Sequence, residues 1–195
     1  GSMPEEARKI IECQAGALNA PCFNLDEIKV TLVRRPDIQG QEIDIDWAGQ
    51  RIERVHFGLA GNYQLENLRL SLAAIMLLNE SGFILTPQVL RDSLSHLKFP
   101  GRLEVLSRQP LVIADAANNP HAAKALGESL NSILGAKKKI LLCGYLDDKN
   151  AGEALAYLGE NTSRCIVSRP ESDRASKWNR VADEWNKIYP GTSCY

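Results

Sequence analysis

Leu111-Val112-Ile113-Ala114-Asp115-Ala116-Ala117-Asn118-Asn119-Pro120-His121 is the stretch on which the reading of this chain turns. Four apolar residues, Leu111 to Ala114, predict a buried strand, and Asp115 sits where that strand should end. Asn119-Pro120 predicts the opening of an amphipathic helix running to Leu134, because Asn caps helix N-termini and Pro at the first helical position needs no N–H partner. A strand, an acidic loop and a helix start in this order place backbone N–H groups where they can face an anion.

Downstream the same logic repeats. Lys139 to Cys143 and Arg164 to Ser168 read as continuous apolar strands, of the kind a parallel sheet buries on both faces. Glu153 to Leu158 and Ser176 to Tyr189 read as helices, the second with Trp178, Val181 and Trp185 on one face. With Leu103 to Leu106 as a further short strand, the alternation predicts right-handed crossovers and an open, mostly parallel, Rossmann-like α/β sheet. About three parallel strands are visible, fewer than the roughly five or six of a doubly wound domain, so the sheet is expected to be incomplete.

Upstream the pattern differs. Pro4 to Ala20 has helical spacing. Cys22 to Asn24 reads as a short extended piece. Ile28 to Val33, Glu42 to Trp47 and Ile52 to Leu59 read as three strands of a small antiparallel meander, with Ile43, Ile45 and Trp47 on one face and a tight turn at Ala48-Gly49-Gln50. A glycine-bearing loop, Gly58 to Gln64, leads into a helix from Leu65 to Ser81 with Leu68, Leu72, Ile75 and Leu78 on one face, closed by Gly82-Phe83. Thr86-Pro87 starts the next helix. Phe99-Pro100-Gly101-Arg102 breaks it and sets the expected domain boundary, dividing the chain into residues 1–99 and 100–195.

The totals narrow the classes of function. Lys plus Arg number 23 against 24 Asp plus Glu, which gives no bulk reason to expect nucleic acid or a membrane as partner. No apolar run approaches the roughly 20 residues of a membrane span. Gly1-Ser2-Met3 reads as the remnant of a protease cleavage site. Five scattered cysteines without a CxxC pair speak against zinc and for reduced thiols in a cytoplasmic setting. No P-loop signature, dinucleotide glycine fingerprint, nucleophile elbow or zinc-protease motif occurs, so no self-sufficient catalytic site is expected.

Several polar residues have both a functional and a bland reading. Asp115 could accept a ribose hydroxyl or cap its own loop; position leaves both open. Arg102 could hold phosphate oxygens as a fork, or be a solvated surface cation. Asn67, in the first turn of its helix, could reach a ligand or bond within the helix entry. Asp148 and Lys149 follow a strand end expected on the same sheet edge as Asp115, and Arg174 follows the next. His121 reads as a surface residue.

Five of these stretches, taken together and in order, resemble the C-terminal half of folylpolyglutamate synthase/dihydrofolate synthase, a family within the Mur ligase superfamily. They are Gly61 to Asn67, Phe99 to Val105, Asp115 to Ala123, Gly144 to Lys149 and Arg174-Ala175. The resemblance implies residues 1–99 as the end of the central ATPase domain and 100–195 as an incomplete Rossmann-like C-terminal domain. It implies ATP-dependent addition of L-glutamate to a folate or dihydropteroate through an acyl phosphate. It places Asn67, Arg102 and Asp115 at ATP, with Asn118, Asn119, His121, Asp148, Lys149 and Arg174 as surrounding candidates. Pro100-Gly101 would be the hinge of closure. Two departures stand out: Asn118 and Asn150 replace the His of the family's Asp-x-Ala-His-Asn-Pro and the last Asp of its Asp-Lys-Asp. The family's P-loop, modified lysine and Mg2+ ligands are expected upstream of this chain and its final strand downstream, so the isolated chain is expected to be inactive. The alternative is a non-catalytic nucleotide-binding or interaction module derived from the same fold.

Overall fold

The computed structural model describes residues 5–22, 25, 28–80, 82 and 85–195. The expected pieces at Gly1 to Met3 and at Phe23, Asn24 and Phe83 lie outside these. The chain divides into two compact units, Gly1–Arg35 with Gln39–Lys98, and Pro36–Ile38 with Phe99–Tyr195.

In the first unit, α1 (Glu5–Ala17) precedes a meander of β1 (Lys29–Leu32), β2 (Gln41–Trp47) and β3 (Gln50–Phe57), ordered β1-β2-β3 and antiparallel throughout. Strand β2 alternates strictly, with Ile43, Ile45 and Trp47 all buried, as its period of two requires. That face packs with Val55 and Phe57 against Leu68 and Leu72 of α2 (Tyr63–Glu80) and Leu90 and Leu94 of α3 (Pro87–His96). The Trp47 indole N–H donates to the Leu72 carbonyl at 3.2 Å, tying sheet to helix. Leu78, expected on the buried face of α2, is instead 50 % exposed. Thr86 caps α3 as its sequence predicts, accepting from the Val89 N–H at 3.3 Å.

The second unit corrects two expectations. Strand β5 (Leu111–Ala114) is present, but it pairs antiparallel with β4 (Glu104–Arg108) as a two-stranded ribbon. It is therefore not a buried parallel strand: Leu111 and Val112 are each 41 % exposed. The parallel pairing lies between β6 (Lys139–Cys143) and β7 (Thr162–Val167), joined through α5 (Ala151–Leu158). It is covered on one face only, since Ile140 and Leu142 point outward at 60 % and 66 % exposure. Residues 193–195 extend this sheet: the Cys165 N–H donates to the Ser193 carbonyl and the Tyr195 N–H to the Cys165 carbonyl, both at 3.0 Å. The mixed α/β class stands, with one antiparallel and one parallel pair among the named strands of this unit.

Helix α4 (Pro120–Leu134) lies against α5 at a glycine. A methyl group at Gly127 would come within 2.5 Å of the Tyr157 carbonyl oxygen. Gly127→Ala is expected to destabilise by about 1–3 kcal/mol, because overpacking outweighs the roughly 1 kcal/mol gained in helix propensity. Urea denaturation checks it; a stabilised variant would show that the helices separate freely.

The last helix, α6 (Arg180–Ile188), is shorter than the predicted 176–189. Val181 and Trp185 are fully buried as expected. The preceding turns are held from outside the segment by Asp147, which accepts from Ser176 and Lys177.

Candidate functional site

The end of β5 is organised by Asp115. Its Oδ2 accepts the Leu103 N–H at 2.8 Å and its Oδ1 accepts the Ala117 N–H at 2.9 Å. The Ala116 N–H donates to the Gly101 carbonyl at 2.9 Å. The Pro100-Gly101-Arg102-Leu103 turn is thereby clamped to the loop after β5, although twelve residues separate Leu103 from Asp115.

That turn is strained. Leu103 has φ +45, a left-handed conformation that costs a residue with a Cβ roughly 1–2 kcal/mol. Burial of its side chain and the hydrogen bond to Asp115 hold it there. Gly101, at φ +67, takes the other left-handed position without a Cβ penalty. Between them Arg102 is exposed and, among the described residues, forms no ion pair. The bland reading of Asp115 is thus realised: it caps its own loop.

Asn119 is the N-cap of α4, accepting the Ala122 N–H at 2.9 Å, and its amide reaches Asn118 at 3.4 Å. Asn118 and His121 are exposed at this helix start. Arg102, Asp115, Asn118, Asn119 and His121 therefore belong to the clamped turn, its loop and the first turn of α4.

A second cluster follows the parallel pair. Arg174 Nη2 and Asp148 Oδ1 are 2.7 Å apart, and Lys149 Nζ lies 3.5 Å from Asp148 Oδ2. The Arg174 guanidinium holds the Asp148 carboxyl below the usual carboxylate range. The loops after β6 and β7 thus meet, as residues following adjacent parallel strands should. The expected common sheet edge with Asp115 is not given by strand pairing, because β5 hydrogen-bonds to β4.

Asp147, to which the sequence assigned no separate role, holds these loops together. Its Oδ2 accepts from the Ser176 hydroxyl at 2.7 Å and its Oδ1 from the Lys177 N–H at 3.0 Å. The Ser176 hydroxyl, then the backbone N–H groups, pull its pKa below the ordinary 3.8. A depressed carboxyl contributes stability above the unfolded value and loses it as pH falls through the folded one. The tie between the two loops is expected to loosen only below about pH 3.8. A 13C titration of the Asp147 carboxyl checks the sign; a midpoint above the ordinary value would contradict the hydrogen bonding.

In the first unit Asn67 donates to the Gln64 side-chain oxygen at 2.9 Å, a bond within the helix entry. Gln41, missed in the sequence because it precedes the alternating run, is buried and donates to both the Leu59 and Gly61 carbonyls, at 2.9 and 3.0 Å. It fixes the loop from which α2 starts. The structure brings Arg102 and Asp115 together; Asn67 lies in the other unit.

Among the described residues no group of three or more His, Cys, Asp or Glu side chains could hold a metal ion, and no helix is long and apolar enough to cross a membrane.

Residues 101–193 match the family described as Mur ligase, glutamate ligase domain. The dihydrofolate synthase/folylpolyglutamate synthase of Buchnera aphidicola subsp. Acyrthosiphon pisum is 31 % identical over 144 residues, covering 69 % of this chain and 33 % of that protein. Folylpolyglutamate synthase of Thermotoga maritima superposes on 100 % of this chain and 46 % of its own, with TM-score 0.78 and 26 % identity. Folylpolyglutamate synthase of Mycobacterium tuberculosis complexed with ADP superposes with TM-score 0.84 at 22 % identity, over 100 % of this chain and 44 % of its own, a likeness of fold. The chain spans about a third of the length of the curated relatives it matches.

Proposed function

We propose, from the match of residues 101–193 to the Mur ligase, glutamate ligase domain and the similarity of 69 % of the chain to a dihydrofolate synthase/folylpolyglutamate synthase, that it is part of an ATP-dependent ligase. That enzyme adds L-glutamate to a folate or dihydropteroate through an acyl phosphate, in the cytoplasm. One observation carries the reading: Asp115 clamps a strained turn that presents Arg102, within the segment that matches the glutamate ligase domain.

The side chains suit a nucleotide. Arg102 supplies a planar cation for phosphate oxygens. Asp115 supplies a carboxylate for a ribose hydroxyl and, by fixing Leu103, sets the direction of the neighbouring Arg102. Asn67, in the first unit, is a separate nucleotide-contact candidate, its amide bonded to Gln64. Asn119 and His121 line the start of α4, where the helix dipole favours anions. Asp148, Lys149 and Arg174 form a separate ion cluster suited to holding two loops in register. Among the described residues no group of His, Cys, Asp or Glu side chains fits a magnesium site. Without a P-loop signature among its 195 residues, this chain by itself is proposed not to turn over ATP.

A second reading, a nucleotide-binding module without ligase activity, draws on Asn118, which lacks the imidazole that the family motif carries. The full-length protein separates the two. Glutamate-dependent ADP release with dihydropteroate or a reduced folate as acceptor is expected; ADP binding without turnover on either acceptor would establish the second reading instead.

A further inference from the structure

Three of the five cysteines lie on neighbouring strands of the parallel sheet: Cys143 on β6, Cys165 on β7 and Cys194 in the added terminal segment. We propose that Cys165 and Cys194 form a reversible disulfide that fastens residues 190–195 to β7, with oxidised glutathione as a sufficient oxidant. This inference does not rest on the ligase reading.

Register decides which pair can close. Cys194 stands directly opposite Cys165, whose N–H and carbonyl bond to Ser193 and Tyr195 on either side. Paired residues on neighbouring strands are about 4.7–4.9 Å apart, inside the 4.4–6.8 Å that a disulfide spans between Cα atoms. Cys143 pairs instead with Val167, two residues beyond Cys165. Such a diagonal separation is about 7–8 Å, past the limit for bridging without backbone movement.

The surroundings agree with the register. Cys165 is fully buried, whereas Cys194 is partly exposed and gives the oxidant its entry. The Cys165 side chain touches both Cys143 and Cys194, so register and not contact alone separates the two pairs; the hydrogen bond with Cys143, then burial, raises the Cys165 pKa, and burial raises that of Cys194. The terminal segment is held back on the sheet by the Trp185 indole N–H, which donates to the Thr192 carbonyl at 3.3 Å, and by the Val167 N–H, which donates to the Tyr195 carbonyl at 2.8 Å. The two sulfurs are therefore kept opposed before any bond forms.

The chemistry balances as two exchanges. The Cys194 thiolate attacks one sulfur of oxidised glutathione, making a mixed disulfide and releasing one glutathione thiolate. The Cys165 sulfur then attacks Cys194, the mixed disulfide breaks and the second glutathione leaves. Two protein thiols are oxidised, one glutathione disulfide is reduced to two thiols, and the two protons end on them.

The test uses the whole chain carrying C13S and C22S, since Cys13 and Cys22 are exposed and would form bonds between molecules. It is equilibrated with oxidised and reduced glutathione, quenched with iodoacetamide and digested with trypsin. The expected product joins the peptide beginning at Cys165 to the peptide ending at Tyr195, and dithiothreitol releases it. Adding C143S should leave that product unchanged, and C194S should abolish it. A bond between Cys143 and Cys165, or glutathione that stays on Cys194 without exchange, would overturn the proposal.

Discussion

Asp115→Ala is expected to lower the affinity of this chain for ADP about a hundredfold. The carboxylate accepts two backbone N–H groups, and removing such an acceptor costs about 1.5–3 kcal/mol per charged hydrogen bond. Part of that loss appears as stability, seen as a lower urea midpoint. The remainder appears in binding, because Leu103 at φ +45 then keeps its left-handed conformation by side-chain burial alone, without the hydrogen bond that shares that task. Once Leu103 relaxes, Arg102 beside it loses its direction, and a phosphate fork that must be found rather than presented binds more weakly. A loss of about 3 kcal/mol corresponds to roughly two orders of magnitude in Kd. Asp115→Asn keeps one acceptor and loses the charge, so an intermediate effect is expected. Titration calorimetry with ADP checks the series; equal affinities for all three proteins would remove Asp115 from the site.

Trp185→Ala carries the largest expected effect on stability, about 3–5 kcal/mol, as for other fully buried aromatic truncations. The side chain is completely buried on α6, packs with Val181 on the same helix face and lies 4.6 Å from the Tyr189 ring at a 38° tilt. Its N–H also holds the Thr192 carbonyl. Removing it opens a cavity and frees the terminal segment together. Set against a typical domain stability of 5–15 kcal/mol, that change takes away a large fraction of the whole. Trp185→Phe keeps most of the packing and loses the hydrogen bond, so a smaller loss of about 1–2 kcal/mol is expected. Denaturation followed by circular dichroism reads both; a midpoint unchanged by Trp185→Ala would mean that α6 does not anchor this unit.

The sequence was most legible where local chemistry and tertiary context ask for the same thing. Ile43, Ile45 and Trp47 alternate because one face of a sheet is buried, and all three are buried. Thr86 and Asn119 each cap a helix followed by Pro, and both caps are made through their side chains. Where a partner far along the chain decides, local reading stopped short. Four apolar residues at Leu111 look the same whether the strand pairs parallel inside a sheet or antiparallel in a ribbon, and the ribbon with β4 leaves Leu111 and Val112 exposed. The start of α6 moved from Ser176 to Arg180 because the turn before it is held by Asp147, twenty-nine residues away.

The candidate site shows the same division. Residue types and their order pointed to Arg102 and Asp115, and those two do share a loop system. The Leu103 N–H bond to Asp115 ties their two loops, and Leu103 carries no sequence signal. Gln41 was silent for a related reason: a glutamine beside an alternating strand looks like surface, and only the fold buries it against the Gly58 to Gly61 loop.

Amide spectra of the 15N-labelled chain during an ADP titration test the central claim most directly. The Leu103 and Ala117 resonances, whose N–H groups both point at Asp115, are predicted to shift saturably with added ADP and to stay still in Asp115→Ala. Saturable shifts confined to amides elsewhere in the chain, with Leu103 and Ala117 unmoved, would contradict it.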